Sequence, residues 1–191
     1  LEKRDTGAAA YADAVATYLA LAVSRQTNRL SSLNTWQNVG DKIAQVFTHQ
    51  AIPMVWDYAE ANPFSHSTGN FLGQVEWVSK TIEHLPALST SRADQISASA
   101  RDYGGLVVST DPPYYDNIGY SDLSDYFYVW LRRCLKDIHP SVVGTMLTPK
   151  IDELVANPYR HGGKEGAQKF FVEGFNSVFQ RIRSGANSDV P

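Results

Sequence analysis

Hydrophobic residues in the first half of the chain recur every three to four positions, the spacing that gathers them on one face of an α-helix. Helical patterns cover residues 11–33, a stretch that starts at Asp41, residues 54–61 and residues 71–85. A run of small and polar residues over 62–70 predicts a loop before the last of these helices. Residues 1–92 are therefore predicted to form a large helical portion.

The pattern changes in the second half of the chain. Residues 106–110 (LVVST) form a compact, apolar, β-branched run that is typical of a buried strand, and residues 94–100 predict a further short strand. Helical patterns resume over residues 123–138 and 165–182. Strands interleaved with helices predict an α/β fold for residues 93–191.

Composition and charge narrow the class of protein. The 191 residues include 17 basic and 20 acidic side chains, for a formal net charge of −3. This balance argues against a generally basic protein that coats nucleic acid, although it leaves room for a local basic groove. No uninterrupted apolar run approaches the roughly 20 residues of a membrane span, so no membrane association is expected. The single cysteine, Cys134, excludes an internal disulfide framework, and a cytoplasmic location is expected.

The stretch Asp111-Pro112-Pro113-Tyr114, just after the apolar run, carries the most specific chemistry. To methylate an exocyclic amine on a base, an enzyme must draw the nitrogen lone pair out of conjugation with the ring. The Asp111 carboxylate and the backbone carbonyl of Pro112 can each accept one amine hydrogen, and the two prolines hold that carbonyl still. Tyr114 offers a face on which a base swung out of its duplex can stack. The alternative is an ordinary turn followed by a core tyrosine.

Asp-Pro-Pro-Tyr after an apolar strand is the catalytic signature of amino-group DNA methyltransferases. The chain resembles in particular the adenine-specific DNA methylases described as containing a zinc ribbon. The flanking residues 110–117 (TDPPYYDN) and 120–132 (YSDLSDYFYVWLR) look like that group. Further similar stretches are 51–57 (AIPMVWD), 62–64 (NPF), 69–71 (GNF), 147–150 (LTPK) and 157–165 (NPYRHGGKE). The resemblance thus covers about residues 45–180.

The resemblance implies a fold, an activity and partners. The fold would be an incomplete Rossmann-like methyltransferase fold, and the cofactor would be S-adenosylmethionine. Asp111, Pro112 and Tyr114 would take the target-amine and base-stacking roles, with Pro113 shaping the loop. The reaction would be methyl transfer to N6 of a flipped-out adenine in DNA, within a restriction-modification or phage-defence system whose subunits would be partners. Cytosine-N4 chemistry needs the same geometry and stays open.

The chain departs from the family pattern around the cofactor. The family binds its methyl donor with a Phe-x-Gly-x-Gly-like loop after a first strand, whereas the glycines at 69–73 and 162–166 follow no predicted strand. One cysteine cannot build the zinc ribbon. Because the chain also opens at Leu1 and closes with a loop-like tail, we expect a piece of a longer polypeptide that is inactive alone. Asp94 could accept a hydrogen bond from the cofactor's adenine amine, or it could be a surface residue in a turn.

Four further residues are candidates for substrate binding. Arg160 and Lys164 lie at a predicted helix start, where exposed N–H groups and positive charge suit a phosphate, although ordinary loop residues are the alternative. Asp116 and Asn117 flank the Asp-Pro-Pro-Tyr stretch and would position the base or cap a turn. No histidine has the spacing of a metal ligand, so no metal is expected.

Two other functions fit the same residues. A related Asn/Asp-Pro-Pro-Tyr loop serves methyl transfer to RNA or to a protein amide, and the net charge gives DNA no special support. A non-catalytic module that docks nucleic acid or a partner subunit is the alternative from another class, and it gains weight from the missing cofactor loop.

Overall fold

The computed structural model describes residues 6–86 and 94–187. In these ranges the regular elements are, in chain order, α1 (Thr6–Thr27), β1 (Trp36–Gln37), β2 (Lys42–Ile43), α2 (Phe71–His84), α3 (Tyr120–Leu135), α4 (Pro140–Val143) and α5 (Lys164–Gly185). Helices make up 44% of the structure. The sheet within the described ranges has two antiparallel strands, with Trp36 opposite Ile43.

The prediction of an α/β, Rossmann-like fold is wrong. Residues 94–100 and 106–110, both expected to be strands, lie outside any strand in the structure. Leu106 and Val107 are 40% and 67% exposed, so the apolar run is also not buried. A β-branched run becomes a strand only where another strand completes its hydrogen bonds, and the described residues supply no such partner to 106–110.

The helix predictions fared better where the hydrophobic spacing was long and regular. α2 and α5 match the predicted 71–85 and 165–182 within three residues at each end. α1 ends at Thr27, well before the predicted residue 33, and α3 begins at Tyr120. The shorter helical patterns, from Asp41 and over 54–61, were wrong: the first holds β2, and the second is irregular.

A tight turn explains the failure near Asp41. Gly40 has φ of 109° and Asp41 has φ of 45°, so both occupy the left-handed region that reverses the chain between β1 and β2. Asn34 then fixes the surrounding loop: its fully buried amide donates to the carbonyl oxygens of Asn28 (3.0 Å) and Ala44 (2.8 Å). These contacts satisfy backbone groups that a helix would otherwise pair.

The described residues divide into two compact units. One contains residues 6–86 together with Leu123–Thr148, and the other contains residues 94–122 and 149–187. The hydrophobic cluster of the first unit joins Ala20 of α1, Tyr128 and Leu135 of α3, and Val143 of α4. Within it, the Tyr128 hydroxyl donates to the carbonyl oxygen of Thr145 at 2.8 Å, so the buried phenol keeps its hydrogen bond.

α1 is a long helix of apolar composition. Over Gly7–Thr27 its mean hydropathy is 1.2, which is enough by length and composition to cross a membrane, and 11% of that stretch is buried. Core helices and signal sequences pass the same test, so this helix is weak evidence for a membrane span.

The second unit is built on α5. The carbonyl oxygen of Gly185 accepts from the Gly105 amide at 3.0 Å, and Arg181 Nε donates to the carbonyl oxygen of Arg101 at 2.7 Å. Tyr103, which lies between Arg101 and Gly105 in the sequence, is buried. Its hydroxyl donates to the carbonyl oxygen of Ala98 at 2.9 Å. The last turns of α5 therefore hold residues 98–106 and set the starting point of the Asp-Pro-Pro-Tyr loop.

Candidate functional site

A cavity of about 420 Å³ lies within the second unit. Residues 106–113 line it, and so do apolar side chains of α5, among them Phe175, Phe179 and Ile182. Arg101 and Asp111 are the charged residues of this lining. The volume is in the range of small-molecule sites, which are typically lined by apolar side chains together with a few polar groups.

Asp111 and Tyr114 are directly bonded. The Tyr114 hydroxyl donates to Oδ1 of Asp111 at 2.8 Å, and both side chains are exposed. The hydrogen bond to Asp111 and the negative charge of that carboxylate raise the pKa of the Tyr114 phenol, with smaller contributions from burial and from Tyr120. The phenol orients the carboxylate through one oxygen, and within the described residues Oδ2 of Asp111 has no hydrogen-bond donor.

The backbone of the loop borders the cavity. Pro112 and Pro113 line the cavity beside Asp111 and are half-buried. In the part of the chain that the structure describes, no backbone N–H donates to the carbonyl oxygen of Pro112. The loop then turns, because the Asn117 amide donates to the carbonyl oxygen of Tyr114 at 3.2 Å. An acidic side chain and an unused carbonyl thus adjoin one cavity.

Tyr115 anchors the loop, a role that the sequence did not reveal. Its φ is 55°, in the left-handed region, which a tyrosine adopts only where its surroundings compensate for the strain. Its carbonyl oxygen accepts from the Ala156 amide at 3.0 Å, and its ring meets Phe171 edge-on with centroids 5.1 Å apart. These partners lie 41 and 56 residues further along the chain, so no local pattern could have shown them.

Arg160 is held inside the unit. Its Nη1 donates to Glu153 Oε2 at 2.9 Å and to the carbonyl oxygen of Lys150 at 3.1 Å, and its Nη2 bonds to Asp122 Oδ2. The Arg160 side chain is 19% exposed. Glu153 also had no sequence signal, although its carboxylate accepts from the amide of Ser121 at 2.8 Å and from the hydroxyl of Ser121 at 2.6 Å.

The other candidates are less closely connected to the cavity. Lys164 is the exposed first residue of α5, and Asp116 and Asn117 are exposed in the turn after Tyr115. Asp94 is exposed and is not part of the cavity lining. The structure therefore brings Asp111, Pro112 and Pro113 together with Tyr114, and it does not bring Asp94 to them.

The two glycine clusters lie away from the cavity lining. Gly69 belongs to the first unit, Gly162 and Gly163 do not line the cavity, and no strand leads directly into either cluster. Asp111 is the one carboxylate of the cavity lining. Within residues 6–86 and 94–187, no group of three or more His, Cys, Asp or Glu is placed to hold a metal ion.

Comparison with protein-family models, with curated proteins and with solved structures found no match to this chain. The chemistry of the loop and the cavity is therefore the basis for assigning a function.

Proposed function

We propose that this chain provides the target-amine site of an S-adenosylmethionine-dependent methyltransferase that acts on N6 of adenine in DNA. One observation carries the proposal: the carboxylate of Asp111, oriented by the Tyr114 hydroxyl at 2.8 Å, borders a cavity of about 420 Å³ with a largely apolar lining. A purine ring matches such a cavity, and its exocyclic amine matches a carboxylate at the edge.

The residues act by accepting hydrogens from the amine. Oδ2 of Asp111 accepts one N–H of the adenine amine, and the carbonyl oxygen of Pro112 accepts the other. Both contacts localise the lone pair on the nitrogen, which becomes the nucleophile. The fixed φ of Pro112 and Pro113 keeps the acceptors in place before the base arrives. The exposed ring of Tyr114 stacks on the base.

S-adenosylmethionine, in this proposal, supplies an electrophilic methyl group to that nitrogen. Neither glycine cluster of the described residues lines the cavity, so the contribution assigned to this chain is to bind and orient the adenine. Asp111 is an acceptor of hydrogen bonds in this role, and the amine proton lost after transfer leaves through the carboxylate or through water.

Binding of adenine-containing DNA tests the proposal. The chain would be titrated with a short single-stranded oligodeoxynucleotide that carries one adenine, and with the same strand carrying N6,N6-dimethyladenine, which has no amine hydrogen to donate. We expect Asp111→Ala to weaken binding of the adenine strand roughly tenfold, the usual effect of losing a hydrogen bond to a charged acceptor. The dimethyladenine strand should bind the wild type and this variant alike.

Two comparisons separate the alternatives. An oligoribonucleotide, or a glutamine peptide, whose binding depends on Asp111 more than that of the DNA strand would move the substrate to RNA or to a protein amide. If the affinity for DNA changes neither with Asp111→Ala nor with dimethylation of the adenine amine, this would contradict the methyltransferase proposal and favour a docking module. Lys169→Met, which removes a charge from the exposed face of α5, is the control for general charge effects.

A further inference from the structure

The loop at the cavity is braced from one segment of the chain. Residues 150–160 contact the loop region at two places: the Ala156 amide donates to the carbonyl oxygen of Tyr115, and the Glu153 carboxylate accepts from the amide and the hydroxyl of Ser121. The first contact lies one residue after Tyr114, and the second lies in the first turn of α3, where the loop ends. The loop is therefore fixed just after its chemical residues and again at its far end.

Arg160 ties this bracing segment together. Its guanidinium bonds simultaneously to Glu153, to the carbonyl oxygen of Lys150 and to Asp122, which is the neighbour of Ser121. The Glu153 side chain is 11% exposed, so its charge has little water to stabilise it if Arg160 is removed. A planar guanidinium can serve several acceptors in fixed directions, whereas a lysine ammonium cannot reproduce that fork.

We infer that Arg160 is a positioning residue, which holds Asp111 and Tyr114 in place by acting through Glu153 and Ser121. The inference concerns the same site as the proposed function and rests on it for the identity of the bound base. Arg160 itself lies outside the cavity lining, and its guanidinium is already engaged by two carboxylates, so a direct contact with substrate is not needed to explain its place in the fold.

The Tyr114 phenol reports on the arrangement without any ligand. The chain would be prepared with 3-fluorotyrosine, which titrates nearer neutral pH than tyrosine, and followed by ¹⁹F NMR, with the Tyr114 signal identified by its loss in Tyr114→Phe. N-acetyl-3-fluorotyrosinamide, added to each sample, serves as the reference. In the wild type, Tyr114 should titrate above this free compound, because its phenol is bonded to the Asp111 carboxylate and the phenolate would meet that negative charge.

In Arg160→Met, the direction in which the pKa of Tyr114 changes distinguishes a positioning role from a simple effect of charge. Losing a cation raises the pKa of a nearby phenol, whereas losing the bond to Asp111 lowers it. We expect the pKa of Tyr114 in Arg160→Met to fall towards that of the free reference compound, and the pKa of Tyr114 in Lys169→Met to stay as in the wild type. If Arg160→Met does not fold by circular dichroism, then Arg160→Lys and Glu153→Gln give the same test with smaller changes of shape.

The outcomes test the positioning role of Arg160 and the proposed function separately. An unchanged or raised Tyr114 pKa in folded Arg160 and Glu153 variants overturns the positioning role, whatever the chain binds. A lowered pKa, together with several-fold weaker binding of the adenine strand by Arg160→Lys, supports it. Should the wild type show no adenine binding that depends on Asp111, the proposed function fails, while the fluorine titration still decides whether Arg160 orders the loop.

Discussion

At the scale of single residues, the Tyr114–Asp111 contact gives the loop a measurable pH dependence. The carboxylate raises the pKa of the phenol above its ordinary value, so the contact is fully present below that ordinary pKa and is lost as pH rises through the pKa of the folded state. We expect Asp111→Asn to lower the pKa of Tyr114 towards that of an isolated tyrosine. ¹³C NMR of the chain with labelled tyrosine ring carbons measures this directly.

Asp116→Asn is the matched control for this titration. It removes the same charge two residues from Tyr114, where Asp116 is exposed and does not hydrogen-bond to the phenol. The pKa of Tyr114 should change little in this variant. An equal fall in both variants would mean that general negative charge, and not the contact at 2.8 Å, determines the titration.

In the first unit, the side chain of Asn34 is fully buried and makes four hydrogen bonds. It accepts from the amide and the hydroxyl of Ser31, and it donates to the carbonyl oxygens of Asn28 and Ala44. Asn34→Asp would aim a second oxygen at those two carbonyls. We expect a loss of about 2–4 kcal/mol in the free energy of unfolding, because both carbonyls lose their donor and a buried carboxylate is added.

Urea unfolding monitored by circular dichroism measures this loss. Asn38→Asp, in the exposed turn of the same hairpin, is the control and should alter the free energy of unfolding by no more than about 0.5 kcal/mol. Equal effects of the two substitutions would show that the hydrogen bonds of Asn34 do not hold the loop together.

At the scale of elements, two helices carry glycine at the same position with opposite consequences. Gly73 and Gly166 are the third residues of α2 and α5. A Cβ on Gly166 would lie 1.9 Å from the backbone carbonyl oxygen of His161, whereas the nearest atom to a Cβ on Gly73 is Asn70 Oδ1 at 3.4 Å. We expect Gly166→Ala to destabilise by about 1–3 kcal/mol, since the backbone must move. Gly73→Ala should stabilise α2 by up to about 1 kcal/mol, the helix propensity difference.

Thermal unfolding of the two variants beside the wild type checks this pair. The melting temperature should fall for Gly166→Ala and rise or stay unchanged for Gly73→Ala. A stabilised Gly166→Ala would contradict the close approach of the His161 carbonyl to the first turn of α5.

The elements also show how far the sequence could predict the fold. α2 and α5 could be predicted because their apolar residues repeat at helical spacing along elements of 14 and 22 residues. The Asn70 side chain also caps α2 by accepting from the Gly73 amide at 2.7 Å. The run 106–110 predicts a strand by its composition alone, and the structure has no strand there. Strand formation depends on a partner distant in sequence, and composition carries no information about whether one is present.

At the scale of the whole molecule, the residues of the candidate site also divide into those that a local pattern predicts and those that depend on contacts distant in sequence. Asp111, Pro112 and Tyr114 could be proposed from the sequence because their chemistry is contained in four consecutive residues. Tyr115 and Glu153 were not found, because their roles come from contacts between residues 115–122 and residues 150–160, which only the folded chain establishes. A local motif can be read from sequence, whereas the groups that position it require the tertiary structure.

The net charge of −3 sets the expectation for nucleic-acid binding by the whole chain. Each phosphate neutralised by a basic side chain adds about 0.7 to the slope of log affinity against log salt for a single strand. If the chain recognises one base in a cavity, we expect the slope of log affinity against log salt to be about −1 to −2. Asp111→Ala should then weaken binding without altering that slope. Fluorescence anisotropy at several salt concentrations gives both numbers. A slope of about −5 or steeper, with no effect of Asp111→Ala, would instead mean that the phosphate backbone supplies the affinity and that the chain acts by docking nucleic acid.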